Sequence, residues 1–219
     1  MRSSRFVFVA ILLTITAGLV MSTVAPAGAE KKSLGAKTIA PPAPAWLICT
    51  YDAEGKPNMM TASWVGMACS KPPCVTISLR EATYTFGNIK EHEAYKVNIP
   101  SEKLASVAPY AGVVSGRDTD KFADTGLTAV KSDLVDAPYI KECELVIECR
   151  LIKTVELGLH TMFIGEIIDV KADEEILGEN GSPDPDKHKP FIWSIGGYGF
   201  YGLGGRIGGV GELAEEFME

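Results

Sequence analysis

Asn58-Met59-Met60-Thr61-Ala62-Ser63-Trp64, followed by Ser70-Lys71-Pro72-Pro73-Cys74, Ile77-Ser78-Leu79-Arg80 and Thr83-Tyr84-Thr85, is the stretch whose reading decides the fold. Met59 to Trp64 and Cys74 to Leu79 are β-rich runs, and small hydroxyl residues stand at their ends. An indole able to cover an aromatic ring lies between them. One Arg and two Thr able to hold a phosphate follow. The stretch therefore reads as two strands forming a cradle for a ligand with a ring at one end and a phosphate at the other.

Upstream, Trp46 to Tyr51 is a further β-rich run, joined to Met59–Trp64 through Asp52-Ala53-Glu54-Gly55, a hairpin signal in which Gly supplies the positive φ of a tight turn. Downstream, Phe86 and Ile89 with charged residues between predict a short helix over Thr85 to His92. Ala94 to Ile99 is strand-like, and Ser101 is placed to cap a helix running through Ala108. Ser115 to Phe122 is polar and turn-rich and has the composition of a binding loop. Glu142–Leu157 and His160–Val170, separated at Gly158, are the longest β-rich stretches, a length that suits a barrel better than an open sheet. Leu177 to Lys189 is expected to be a polar loop. Strands outnumber helices without alternating with them, so the chain reads as mainly β, a β-barrel with added helices, and a doubly wound parallel sheet is disfavoured.

The ends of the chain bound its setting. Arg2 and Arg5, the apolar block Phe6 to Met21 and the small residues Ala27-Gly28-Ala29 form the pattern of a secretory signal peptide over residues 1–29, shorter than the roughly 20 apolar residues of a spanning helix. The expected product is exported, in a periplasm-like space, with no membrane span after cleavage. Residues 30–45 read as an extended, Pro-rich lead-in, and 46–219 as one domain ending in a Gly-rich tail. Cleavage would remove Arg2 and Arg5 and take the formal net charge from −7 to −9, which argues against nucleic acid as a partner. The tail Gly202-Leu203-Gly204-Gly205-Arg206-Ile207-Gly208 lacks the strand-and-helix context of a dinucleotide loop and is expected to be mobile or packed on a partner.

The five cysteines leave at least one unpaired in a monomer, so a disulfide framework is not expected. Cys143 and Cys149 read as small buried hydrophobes on one face of a strand. Cys69 and Cys74, across the Pro-Pro turn, are the one pair whose spacing invites a disulfide. The three His are scattered, and metal-ligand spacing is absent.

Taken together, Lys32–Lys37 (Lys-Ser-Leu-Gly-Ala-Lys), Asn58-x-x-Thr-Ala-Ser-Trp64, Ser70–Cys74, Ser78-Leu79-Arg80, Thr83–Thr85, Val97-Asn98-Ile99-Pro100, Asp120-Lys121-Phe122 and Gly158-Leu159-His160 resemble the flavoredoxin group of the flavin reductase-like, FMN-binding split-barrel family. The likeness spans roughly Lys32 to Asn180. It implies a homodimeric split β-barrel with one non-covalent FMN per subunit near the dimer interface. It also implies that Asn58, Trp64, Thr85, Lys121 and His160 lie against the flavin, with Trp193 at the place of a further ring-contacting aromatic.

Elementary chemistry fits these roles. Arg80 and the hydroxyls of Ser78, Thr83 and Thr85 suit a phosphate dianion. Trp64 offers a flat surface to the ring. Lys121 suits either the edge that becomes anionic on reduction or the phosphate. Asn58, Asn98 and the backbone of Thr61, Ala62 and Ser63 suit the polar ring edge. Without the resemblance, Trp64 would read as a core aromatic and Arg80 and Lys121 as solvated charges. Three functions remain open: an electron carrier between redox protein partners, an NAD(P)H-dependent flavin reductase, or a flavin-binding module without redox turnover.

Overall fold

A computed structural model describes residues 30–218, so the leader expected over 1–29 lies outside the described residues. The chain divides after Thr38. Residues 30–38 form no helix or strand. The larger unit contains twelve strands: β1 Ala43–Pro44, β2 Trp46–Tyr51, β3 Pro57–Ala62, β4 Val65–Ser70, β5 Pro73–Arg80, β6 Ala94–Ile99, β7 Ala129–Val130, β8 Tyr139–Ile140, β9 Leu145–Glu156, β10 His160–Ala172, β11 Phe191–Ser194 and β12 Gly199–Gly202. Its helices are α1 Tyr84–His92, α2 Val107–Val113, α3 Lys121–Thr125, α4 Pro185–His188 and α5 Val210–Ala214.

Seven strands form one antiparallel sheet in the order β3-β2-β6-β9-β10-β5-β4, and β3 packs back against β5 to close a split barrel. The mainly β fold with added helices is as expected. Ile48, Val75, Ile77, Val97, Ile147 and Phe163 fill the interior, and Phe86 and Ile89 of α1 cover one end. The opposite face of β2 and β3 is also buried, with Leu47, Cys49 and Met59 packed under Val107 and Ala111 of α2 and Phe122 of α3. A strand covered on both faces is apolar at successive positions, which is why Leu47-Ile48-Cys49 shows no alternation. Gly165 is required where Tyr95 crosses the barrel to reach Val75 O at 3.2 Å, because a Cβ there would stand 2.4 Å from the phenol oxygen.

The β2–β3 hairpin turns as its sequence predicts. Gly55 has φ +77°, and Asp52 Oδ1 accepts from the amides of Glu54 and Lys56.

Several local expectations change. Ser101 caps no helix; its hydroxyl donates to the buried Glu144 carboxylate at 3.2 Å, and a short 3-10 turn over Glu102–Leu104 precedes α2. The run expected to stop at Trp64 bends there and resumes as β4, the terminal strand of the sheet. The lead-in contributes β1, whose Ala43 pairs with Trp193 of β11. Part of the glycine tail is β12, paired with β11. The Leu177–Lys189 loop holds α4. Cys143 precedes β9 instead of lying in it, so it joins the cluster under α2 and α3 while Cys149 faces the barrel interior. The five cysteines are free thiols.

Candidate functional site

A cavity of about 200 Å³ opens where β3, the β5–α1 connection, the start of α1 and the end of α2 converge. Asn58 enters it from β3, where it shares the inward face with Met60 and Ala62. Its Nδ2 donates to Thr85 Oγ1 at 2.9 Å, and its Oδ1 is buried with no partner. A buried carbonyl oxygen without a donor costs roughly 1–3 kcal/mol, so this atom awaits an N–H or O–H group. Gly116 lies over it: a Cβ at 116 would stand 2.1 Å from Asn58 Oδ1, and only glycine lets the loop after α2 close down.

Lys121 reaches the same cavity from the first turn of α3. Asp120, which accepts from Ala123 N at 3.1 Å, starts that helix and turns the expected binding loop into a helix at its last residues. The lysine is 4% exposed, and its only polar contact is Nζ donating to Ala111 O at 2.8 Å. Burial without a carboxylate beside it pulls its pKa down to about 8; the nearby Cys49 thiol opposes this weakly. A buried cation with no counter-ion favours an anionic ligand.

At the other end, Arg80, Thr83 and Thr85 surround the N-terminus of α1. Thr83 is the N-cap, yet its hydroxyl donates to Arg80 O and leaves the helix amides without a side-chain cap. Such amides and their dipole favour an anion. Tyr84 is fixed by donating to Asp52 Oδ2 at 2.9 Å, and Arg117 lies 5.1 Å from its ring while donating to Ala82 O.

His160 pairs in register with Arg80, and its ring centroid is 4.4 Å from that of Trp64. Burial, reinforced by Arg80, holds the imidazole below its usual pKa, so at pH 7 it is neutral. Trp64 stays 42% exposed, a flat apolar surface open to solvent.

The structure thus brings Asn58, Arg80, Thr83, Thr85 and Lys121 around one cavity, with Trp64 and His160 as a pair next to Arg80. The other expected residues lie elsewhere or are already engaged. Asn98 is corrected: it is fully buried, donates to Leu47 O and Cys49 Sγ, and accepts from Ile140 N, so it braces β8 against the sheet. The Thr61 hydroxyl donates to Ala108 O at 2.6 Å, and the Ala62 side chain faces the barrel core. Ser63 lies in the bend before Trp64, and Ser78 uses its amide to hold Trp64 O at 2.9 Å. Trp193 packs against Phe200, in the cluster with Ala108 on α2. Met60, Ala82, Gly112 and Gly116 line the cavity without having been singled out as ligand contacts. Of these, only Gly116 left a signal in the sequence, as part of the polar 115–122 segment read as a binding loop; Arg117 of the same segment stands beside the cavity, over the Tyr84 ring.

The flavin reductase like domain matches residues 40–200, and the chain belongs to that family, whose members bind flavin and carry out redox chemistry. It is 46% identical to the flavoredoxin of Desulfovibrio vulgaris (Miyazaki F) over 83% of this chain and 97% of that one, with a TM-score of 0.79. The flavoredoxin of Methanosarcina acetivorans is 29% identical over 87% of this chain and all of its own, with a TM-score of 0.80. A protein of Archaeoglobus fulgidus described as a ferric-chelate reductase (NAD(P)H) is 26% identical over 59% of this chain and 78% of its own length.

Proposed function

We infer that the cavity holds one FMN non-covalently and that the protein carries electrons between redox partners outside the cytoplasm. The observation that carries this reading is the pairing, in one cavity, of the uncompensated Lys121 ammonium with the unpartnered Asn58 Oδ1. An anion that also has a donor N–H meets both needs, and FMN has both features. When bound, the flavin supplies the one- and two-electron chemistry.

The chain's own residues bind and orient. Arg80, the Thr85 hydroxyl and the α1 amides hold the phosphate dianion, and the Thr83 hydroxyl joins them by turning away from Arg80 O. Asn58 Oδ1 accepts from a ring N–H, with its amide plane fixed by Thr85. Lys121 places positive charge at the polar ring edge and favours the anionic reduced ring over the oxidised one, which raises the potential. Trp64 and the neutral His160 offer apolar cover near the phosphate end. No side chain is needed as acid or base.

Export rests on the leader-like residues 1–29; no helix among the described residues is long and apolar enough to cross a membrane. An unfolded chain crossing a membrane would acquire its FMN afterwards, consistent with a non-covalent site. The cavity is below the roughly 300 Å³ at which small-molecule pockets begin, so one chain encloses only part of the ligand. A second copy of the chain completing the site accounts for this.

The likeness to the Archaeoglobus reductase supports a second reading, an NAD(P)H-dependent flavin reductase. Anaerobic stopped-flow mixing with NADH and with NADPH separates the two. The carrier reading expects bound FMN to keep its visible absorbance for many seconds; bleaching within the mixing time by either nucleotide overturns it.

A further inference from the structure

Cys69 and Cys74 are register partners across the β4–β5 hairpin, one pair in from the Lys71–Pro72 turn. Directly opposed residues of antiparallel strands put their side chains on one face, with Cα atoms roughly 4.5–5.5 Å apart. A disulfide spans roughly 4.4–6.8 Å between Cα atoms, so a register pair of this kind lies within its reach. Both sulfurs already turn toward the same end: Cys69 Sγ contacts Lys71 O and Cys74 Sγ contacts Pro72 O, each at 3.4 Å. Cys49, Cys143 and Cys149 differ in belonging to the core clusters, where desolvation pushes their thiols up, Cys143 to about 12.

We propose that Cys69 and Cys74 form an oxidisable dithiol that closes into a cross-strand disulfide and staples β4 to β5. Export determines only where the oxidant is met; the geometry stands without it. The exposed Cys69 thiolate attacks a small disulfide donor and releases one donor thiol. The Cys74 sulfur then displaces the second, and the Sγ–Sγ bond forms as the donor's disulfide takes up two electrons and the two cysteine protons leave. Burial, the neighbouring Cys69 and Glu166 hold the Cys74 thiol above its usual value, which makes Cys74 the resolving partner and Cys69 the attacking one.

The consequence falls on β4. It ends the sheet, pairs only with β5 and is exposed over Met67 to Ser70. Trp64 directly precedes it and is held by a single backbone bond from Ser78. A covalent link at the turn end suppresses fraying of β4 and keeps Trp64 beside His160.

The test incubates the purified full chain with glutathione disulfide, counts maleimide-reactive thiols after denaturation by mass, and follows amide hydrogen exchange. The expected outcome is two thiols fewer than the five of the reduced chain, no retained glutathione, and exchange across residues 65–70 slowed about tenfold. Cys69→Ser should keep all its remaining thiols, and Cys74→Ser should hold glutathione on Cys69. Five surviving thiols, a stable glutathione adduct in the wild type, a two-thiol loss that persists in Cys69→Ser, or unchanged exchange in β4 would each overturn the proposal. A chain found to stay in the cytoplasm would remove the export reading while leaving this result intact.

Discussion

Lys121 shows what a single residue contributes and how little of it is visible in sequence. In an isolated Asp120-Lys121-Phe122 it reads as a solvated charge; only the fold, by capping α3 with Asp120 and covering it with α2, buries the ammonium beside Ala111 O. Its pKa is lowered, so the folded chain releases the proton near pH 8 while the unfolded chain holds it to about 10.5, and stability rises with pH between those values. Bound FMN reverses the penalty by giving the ammonium an acceptor at the polar ring edge, which keeps the lysine charged. FMN affinity should therefore be flat below pH 8 and fall by up to about tenfold per unit above it. Fluorescence titration from pH 7 to 9.5 checks this; Lys121→Met should bind about 10- to 100-fold more weakly at pH 7 and lose the slope. A slope kept in the variant would assign the pH dependence to another group. Asn58 was legible through the family likeness, whereas the need for glycine at 116 was not, because it arises from a side chain 58 positions away in the sequence. Asn98 misled: an amide suits a ring edge and a buried backbone amide equally well, and nothing in Val97-Asn98-Ile99-Pro100 announces that Ile140 N would need an acceptor.

Among the elements, those with a strong local pattern matched their sequence reading. The β2–β3 hairpin, α1, β6 and the long β9–β10 pair each have turn chemistry or periodicity of their own. β1, β4 and β12 do not: they are short or solvent-facing and exist because another strand's edge is available to pair with. α1 links the cavity to a pH-sensitive support. Its last residue, His92, has Nδ1 2.8 Å from Asp136 and Nε2 3.0 Å from Asp52 O, an arrangement that the doubly protonated ring satisfies with two donations. Burial alone would lower its pKa, but Asp136 and the Asp52 carbonyl outweigh that and hold it above the usual value, with Glu91 adding to the effect. Its stabilising contribution is complete below pH 6.5 and is lost as pH rises through the folded pKa. Melting temperatures of the wild type and His92→Gln should accordingly differ most near pH 6 and converge toward pH 9. A constant gap would mean that the imidazole acts by packing alone.

At the scale of the whole molecule, the mainly β class was legible because long strands and few helices leave little alternative, and the split barrel because the scattered motifs combine into a family likeness. The closure of β3 onto β5 and the second buried face of β2 were not, since both depend on contacts between distant segments. We infer that the barrel end between β3, α1 and α2 is an FMN site. Its most direct test is visible spectroscopy during titration of the purified chain with FMN, followed by acid precipitation. The prediction is a red-shifted, structured flavin band saturating at about one FMN per chain, with all flavin released to the acid supernatant. A chain that stays colourless in excess FMN, or that retains flavin after denaturation, would contradict the account.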